Sequence, residues 1–195
     1  MSQDQGWGSY YDKLRDRPPR KTLIAALDAF GERKDALAVD LGCGDGRDVV
    51  EILRRGWRVV AVDNEPEALR RLMERGLPGS ITPIEARFED VPIPIGVELV
   101  NSSFAMPLCE PAKFHELWER IREALPPGGR FSGQWYGLRD SWVGRPGITF
   151  LSRDEAMALL AGFEVEMFEE EEADSTTPRG KPKHWHIFHI VARKR

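Results

Sequence analysis

The chain has 195 residues, with 28 Lys+Arg against 32 Asp+Glu, a formal net charge of −4. This length suits one domain with a substantial core, and no apolar run approaches the roughly 20 residues a membrane span requires. A slightly acidic balance speaks against a nucleic-acid partner, and the two cysteines, Cys43 and Cys109, are too few for a disulfide framework or a four-cysteine zinc site.

The opening residues Met1 to Trp7 carry neither a basic start nor an apolar stretch, so a secretory leader is not expected and a cytoplasmic setting is. Residues 1–21, with Trp7, Tyr10 and Tyr11, read as an extension able to fold over as a lid on a core of residues 22–195. Leu23, Leu27 and Phe30, closed by Gly31, predict a first helix, and the short apolar run Ala36 to Leu41 a buried strand. Val49, Ile52 and Leu53, ended by Gly56, give the next helix, and Trp57 to Val62 the second strand. Pro66 opens a helix that stops at Gly76. Ile81 to Phe88 and Val97 to Phe104 read as strands three and four, and the proline-rich stretch between them is too short for a crossover helix.

Phe114, Leu117, Trp118, Ile121 and Leu125 fall at helical spacing after Pro111. Pro126 to Gly129 breaks that helix before a fifth strand, Arg130 to Tyr136. Ser152-Arg-Asp-Glu155 is a capping-box signature ahead of a short helix. Two strands close the chain, Phe163 to Phe168 and His184 to Arg193, joined by the polar segment Ala173 to Lys183. With no helix between them they predict an antiparallel edge hairpin. Strand–helix alternation elsewhere predicts an α/β fold with a doubly wound, mostly parallel sheet of seven strands and helices on both faces. The acidic run Glu169 to Glu172 has no functional reading at this level.

Chemistry concentrates where the first strand runs into Asp40-Leu-Gly42-Cys-Gly44-Asp-Gly46 and a helix follows. Glycines there let the backbone turn sharply and approach a ligand with no Cβ in the way, and the open amides of a helix start favour a negative group. Asp63, 21 residues beyond Gly42 at the end of strand two, stands where an acid accepts hydrogen bonds from ribose hydroxyls. Together they point to a nucleoside-containing ligand across the carboxyl ends of strands one and two. The dinucleotide pattern G-x-G-x-x-G would need glycine at Arg47, and no phosphate-binding G-x-x-x-x-G-K-[ST] occurs.

Val39-Asp-Leu-Gly-Cys-Gly-Asp-Gly46 followed by Val59-Val-Ala-Val-Asp63 resembles the first two motifs of class I S-adenosylmethionine-dependent methyltransferases. The Gly44-Asp-Gly-Arg-Asp48 variant and the small size look most like the tellurite-resistance and thiopurine-type branch. The resemblance implies S-adenosylmethionine as cofactor. It places Asp40, Gly42, Cys43, Gly44 and Gly46 around the methionyl part and Asp63 at the ribose, and counts Asn64 among the cofactor contacts. Phe88 and Glu89 would meet the adenine, and Asn101 and Phe104 the transferable methyl group. The activity it implies is methyl transfer to a small-molecule acceptor. The alternatives are a non-catalytic cofactor-binding module and a nicotinamide-dependent reductase.

Methyl transfer from a sulfonium is an in-line displacement whose main demand is alignment, and no residue stands out as its catalyst. Tyr11, His184 and His186 are candidates. His184 and His186, two apart on a strand, would supply two metal ligands but no third, so no metal is expected. Trp135, Tyr136 and Trp142 line an acceptor pocket or serve as packing. Cys43 fits the glycine loop as a small side chain rather than a nucleophile. The basic set Lys13, Arg15, Arg17, Arg20 and Lys21 alternates with acids and reads as a solvated face, with Arg20 in reach of a cofactor carboxylate.

Overall fold

The computed structural model describes residues 17–177 and 179–195. Its elements in chain order begin with α1 (Lys21–Phe30), β1 (Leu37–Leu41), α2 (Arg47–Arg54), β2 (Arg58–Asp63), α3 (Pro66–Glu74), β3 (Ile81–Glu85) and β4 (Leu99–Ser102). After a 3-10 turn at Met106–Leu108 come α4 (Pro111–Ala124), β5 (Arg130–Gly137), β6 (Phe150–Leu151), α5 (Arg153–Leu159), β7 (Phe163–Thr176) and β8 (Pro182–Lys194). The strands form one sheet in the order β3-β2-β1-β4-β5-β8-β7. Strands β1 to β5 run parallel, and β8 runs antiparallel to both β5 and β7.

Strand alternation sorts the core onto two faces. Val39, Leu41, Val62, Val100, Phe131 and Trp135 point to the face covered by α4, where Phe114, Leu117, Trp118 and Ile121 meet them. Ala38, Val59, Ala61 and Leu99 point to the other face, under Leu23 and Leu27 of α1, Val49 and Ile52 of α2 and Leu69 and Leu72 of α3. Trp118 is fully buried between the rings of Phe131 and Trp135, and its indole N–H donates to the Leu159 carbonyl at 2.8 Å. A cavity left by Trp118→Ala would cost about 3–5 kcal/mol. The capping box forms as read from sequence: Ser152 Oγ accepts from Glu155 N–H, and Ser152 N–H donates to the Glu155 carboxylate.

Several boundaries differ from the sequence reading. Strand β3 ends at Glu85 and β4 at Ser102, because the following residues turn out of the sheet; Phe104 takes a left-handed φ of 59°. A two-residue strand, β6, pairs with the end of β5 beside the seven expected strands. The closing hairpin is far longer than Phe163 to Phe168 and His184 to Arg193: most of the polar segment Ala173 to Lys183 is strand. The acidic run lies inside β7, where each of its side chains finds a partner. Glu169 pairs with Lys21, Glu170 with His186 and Arg139, Glu171 with His189, and Glu172 with Arg139 and His184.

Candidate functional site

The turn after β1 is held to the end of β2 by its own backbone. Gly42 N–H and Cys43 N–H both donate to the Val62 carbonyl, at 2.8 and 3.0 Å. Gly42 takes φ of 73°, and a Cβ placed on it would stand 2.2 Å from Ala105 Cβ and 3.4 Å from the Phe88 ring. Only glycine permits that approach. Asp63 clamps the turn further: its Oδ2 accepts from Gly44 N–H at 2.8 Å and its Oδ1 from Glu65 N–H at 3.0 Å. Burial raises the Asp63 carboxyl above its ordinary value, and the backbone N–H bonds from Glu65, Gly44 and Asn64 oppose that rise.

Asp40 and Asn101, neighbours across β1 and β4, form the floor. Asn101 Nδ2 donates to Asp40 Oδ1 at 2.8 Å and to Asp48 Oδ2 at 3.1 Å, and Asn101 Oδ1 accepts from Ser132 O–H at 2.7 Å. Asp48, in the first turn of α2, also accepts from Ser103 O–H at 2.5 Å and from Arg20 N–H at 3.1 Å. Asp40 Oδ2 is buried and has no partner. Burial first, then the nearby Asp48 charge, pushes the Asp40 carboxyl well up despite the Asn101 hydrogen bond. A buried carboxylate oxygen left open beside two further carboxylates favours a cationic ligand.

One cleft gathers these groups. Of the residues singled out from sequence, Asp40, Gly42, Cys43, Gly44, Asp63, Asn64, Phe88 and Phe104 line it, with Arg20 at its rim. The Arg20 guanidinium lies 4.3 Å above the Phe104 ring. Gly46, Asn101 and Glu89 are not on its wall. Gly46 packs against Leu72, Asn101 positions Asp40 from beneath, and Glu89 accepts from Glu110 N–H at the start of α4. Asp48, Ser103, Ala105 and Leu108 also line the cleft, and none of them is among the cofactor contacts expected from sequence. Asp48 had a signal, an acid in the first helical turn after the glycines. Cys43 is buried, and desolvation pushes its thiol far above the ordinary range, which removes it as a nucleophile.

The proposed catalytic histidines stand elsewhere. His184 is half-buried, with its ring nitrogens on Asp174 and Glu172. His186 is buried against Gly137, with Nδ1 accepting from Arg139 N–H and Nε2 on Glu170, so both nitrogens are spent on structure. Tyr11 lies outside the described residues, as do Trp7 and Tyr10. Trp135 belongs to the core under α4, whereas Tyr136, Trp142 and Trp185 surround the Lys183 ammonium, 4.1–5.4 Å from their ring centres. Lys183 pairs with Asp140, both side chains fully buried, so the chain's own cation fills this aromatic box. Phe104 joins box to cleft, its ring 6.2 Å from Trp185 and 6.4 Å from Tyr136.

Residues 38–129 match the family model described as a methyltransferase domain. A probable cobalt-precorrin-6B C(15)-methyltransferase (decarboxylating) of Methanothermobacter thermautotrophicus is 32% identical over 114 residues, 56% of this chain and 56% of that protein. The chain spans about half the length of the curated relatives it matches. Among solved structures, TehB from Haemophilus influenzae superposes with a TM-score of 0.79 at 15% identity, over 95% of this chain and 66% of that one. The 1,6-didemethyltoxoflavin-N1-methyltransferase of Burkholderia thailandensis, solved with 1,6-didemethyltoxoflavin and S-adenosylhomocysteine bound, superposes with a TM-score of 0.70 at 20% identity, over 98% of this chain and 84% of that one.

Proposed function

We propose that the class I S-adenosylmethionine-dependent methyltransferase domain this chain carries binds that cofactor in the glycine cleft and transfers its methyl group to a small-molecule acceptor. The observation that carries the reading is the unpartnered, buried Asp40 oxygen in a cleft that a Cβ at position 42 would fill. When bound, S-adenosylmethionine supplies an electrophilic methyl group on a sulfonium, with an ammonium and a carboxylate at its amino-acid end. Asp40 Oδ2 is the natural partner for the ammonium, and Arg20 for the carboxylate. Asp63 accepts backbone N–H groups at both oxygens, and its remaining lone pairs suit ribose hydroxyls. Phe88, against Gly42, offers an apolar wall for the adenine.

The work of this chain is alignment, which can supply about 7–11 kcal/mol of a displacement barrier. Asn101, fixed by Ser132, holds Asp40 in place, and the Gly44–Asp63 bond holds the turn. The acidic surroundings of Asp40, Asp48 and Asp63 match the positive charge of the donor. No inserted substrate domain interrupts the sheet among the described residues, so the acceptor is read as small. Among those residues no helix is long and apolar enough to cross a membrane. A reducing, cytoplasmic setting is part of the proposal, since both thiols are buried and unpaired.

Calorimetric titration with S-adenosylhomocysteine tests the reading. A saturable one-to-one heat is expected, and no heat at millimolar ligand would remove the proposal.

A further inference from the structure

The loop that carries Phe88 has no helix or strand of its own: β3 ends at Glu85, and regular structure resumes only at β4. Its first residue is tied to the cleft, where Ala86 N–H donates to the Asp63 carbonyl at 3.1 Å. Val91, 1% exposed, anchors its far side in the core. Between those points the carbonyls of Phe88 and Glu89 belong to no ladder, and main-chain carbonyls withdrawn from water require donors. Helix α4 supplies them. The Arg120 guanidinium donates from Nη2 to the Phe88 and Glu89 carbonyls, at 3.1 and 2.8 Å, and from Nη1 to the Val91 carbonyl at 2.9 Å. The loop returns a bond to the same helix: Glu89 Oε1 accepts from Glu110 N–H, at the helix start, at 3.0 Å. A planar guanidinium has donors in fixed directions, so it gathers these carbonyls into one geometry.

Phe88 is where that order reaches the cleft. Its ring stands 3.4 Å from a notional Cβ on Gly42. Leu108, just ahead of the Glu110 N–H that Glu89 holds, lines the same cleft. Two of the cleft's apolar walls are therefore both referred to α4. We infer that Arg120 is a positioning residue for adenine recognition: it does not line the cleft, and it sets cofactor affinity by fixing the Phe88 ring where the base must lie. The inference rests on the reading of this cleft as an S-adenosylmethionine site. Without the guanidinium, three carbonyls of one loop would have to find other donors, and the main chain that carries Phe88 would move to reach them.

The test is a double-mutant cycle on S-adenosylhomocysteine affinity. Binding is measured by calorimetry for the parent, Arg120→Met, Phe88→Ala and the double variant, with Arg120→Lys as the conservative change, and urea midpoints confirm that each sample is folded. Phe88→Ala is expected to weaken binding about 5- to 150-fold, the worth of an aromatic ring stacked on a base. Arg120→Met keeps the stem and loses every donor. It is expected to weaken binding at least about 5-fold, the lower end of that range, and less than about 2-fold in the Phe88→Ala background. Arg120→Lys, with an ammonium still facing the carbonyls, recovers part of the loss, and it carries the same cycle if Arg120→Met does not fold. A folded Arg120→Met protein with parental affinity overturns the inference. So does an equal loss in both backgrounds, because the effect would then not pass through Phe88, and so does Arg120→Lys binding no better than Arg120→Met. In each of those cases binding by the parent leaves the methyltransferase reading in place, whereas a parent that does not bind removes both.

Discussion

Gly42→Ala isolates the close approach on which the cleft depends. The residue has φ of 73°, where an L side chain costs about 1–2 kcal/mol. The new methyl would also meet Ala105 Cβ at 2.2 Å, a carbon fixed directly to the backbone with no rotamer by which to escape. Overpacking of this kind costs about 1–3 kcal/mol more. The sum, about 2–5 kcal/mol, is a large share of ordinary domain stability. Gly76→Ala supplies the control, because Gly76 has φ of 60° and nothing within 4 Å of its notional Cβ. It should lose only the backbone part. Urea unfolding of parent and both variants, read from midpoints at constant slope, gives the difference. If Gly42→Ala is destabilised no more than Gly76→Ala, the contact with Ala105 is not what requires glycine there.

Three further outcomes are expected. Asp40→Asn should change how stability depends on pH. The parent's raised Asp40 carboxyl contributes its full stability below the ordinary carboxylate value and loses it as pH rises through the folded one, so the variant should gain on the parent from about pH 4 upward; a pH-independent gap in urea midpoints would contradict this. Cys43 and Cys109 should resist a maleimide at about pH 8 in the native protein and react in urea, since burial raises both thiols, that of Cys109 to about 12; rapid native labelling would refute their burial. Ser152→Ala should cost about 1 kcal/mol through loss of the α5 cap, and an unchanged urea midpoint would show that the cap contributes nothing.

How far the sequence carries the account depends on the range over which each feature is decided. The capping box, the apolar stripe of α4 and the glycine turn with Asp63 are local patterns, and each forms where its spacing places it. The long hairpin was hidden because Glu169 to Glu172 resembles a solvated run until the partners are known. Those partners, Lys21, Arg139 and the histidines of β8, lie up to 148 residues away. The Lys183–Asp140 pair and its aromatic box are assembled from a loop and a strand edge that no periodicity connects. The family resemblance gives Asn101 and Glu89 as ligand contacts. Their side chains hold Asp40 and the start of α4, a role that only the folded geometry displays.

The central claim is that the carboxylate at the end of β2 and the glycine turn together grip an adenosyl ligand. The direct measurement is the S-adenosylhomocysteine dissociation constant of Asp63→Ala against the parent, with folding checked by urea midpoint. Losing charge-assisted hydrogen bonds worth about 1.5–3 kcal/mol predicts affinity weakened by roughly 10- to 200-fold. A folded Asp63→Ala protein that binds as tightly as the parent would contradict the account.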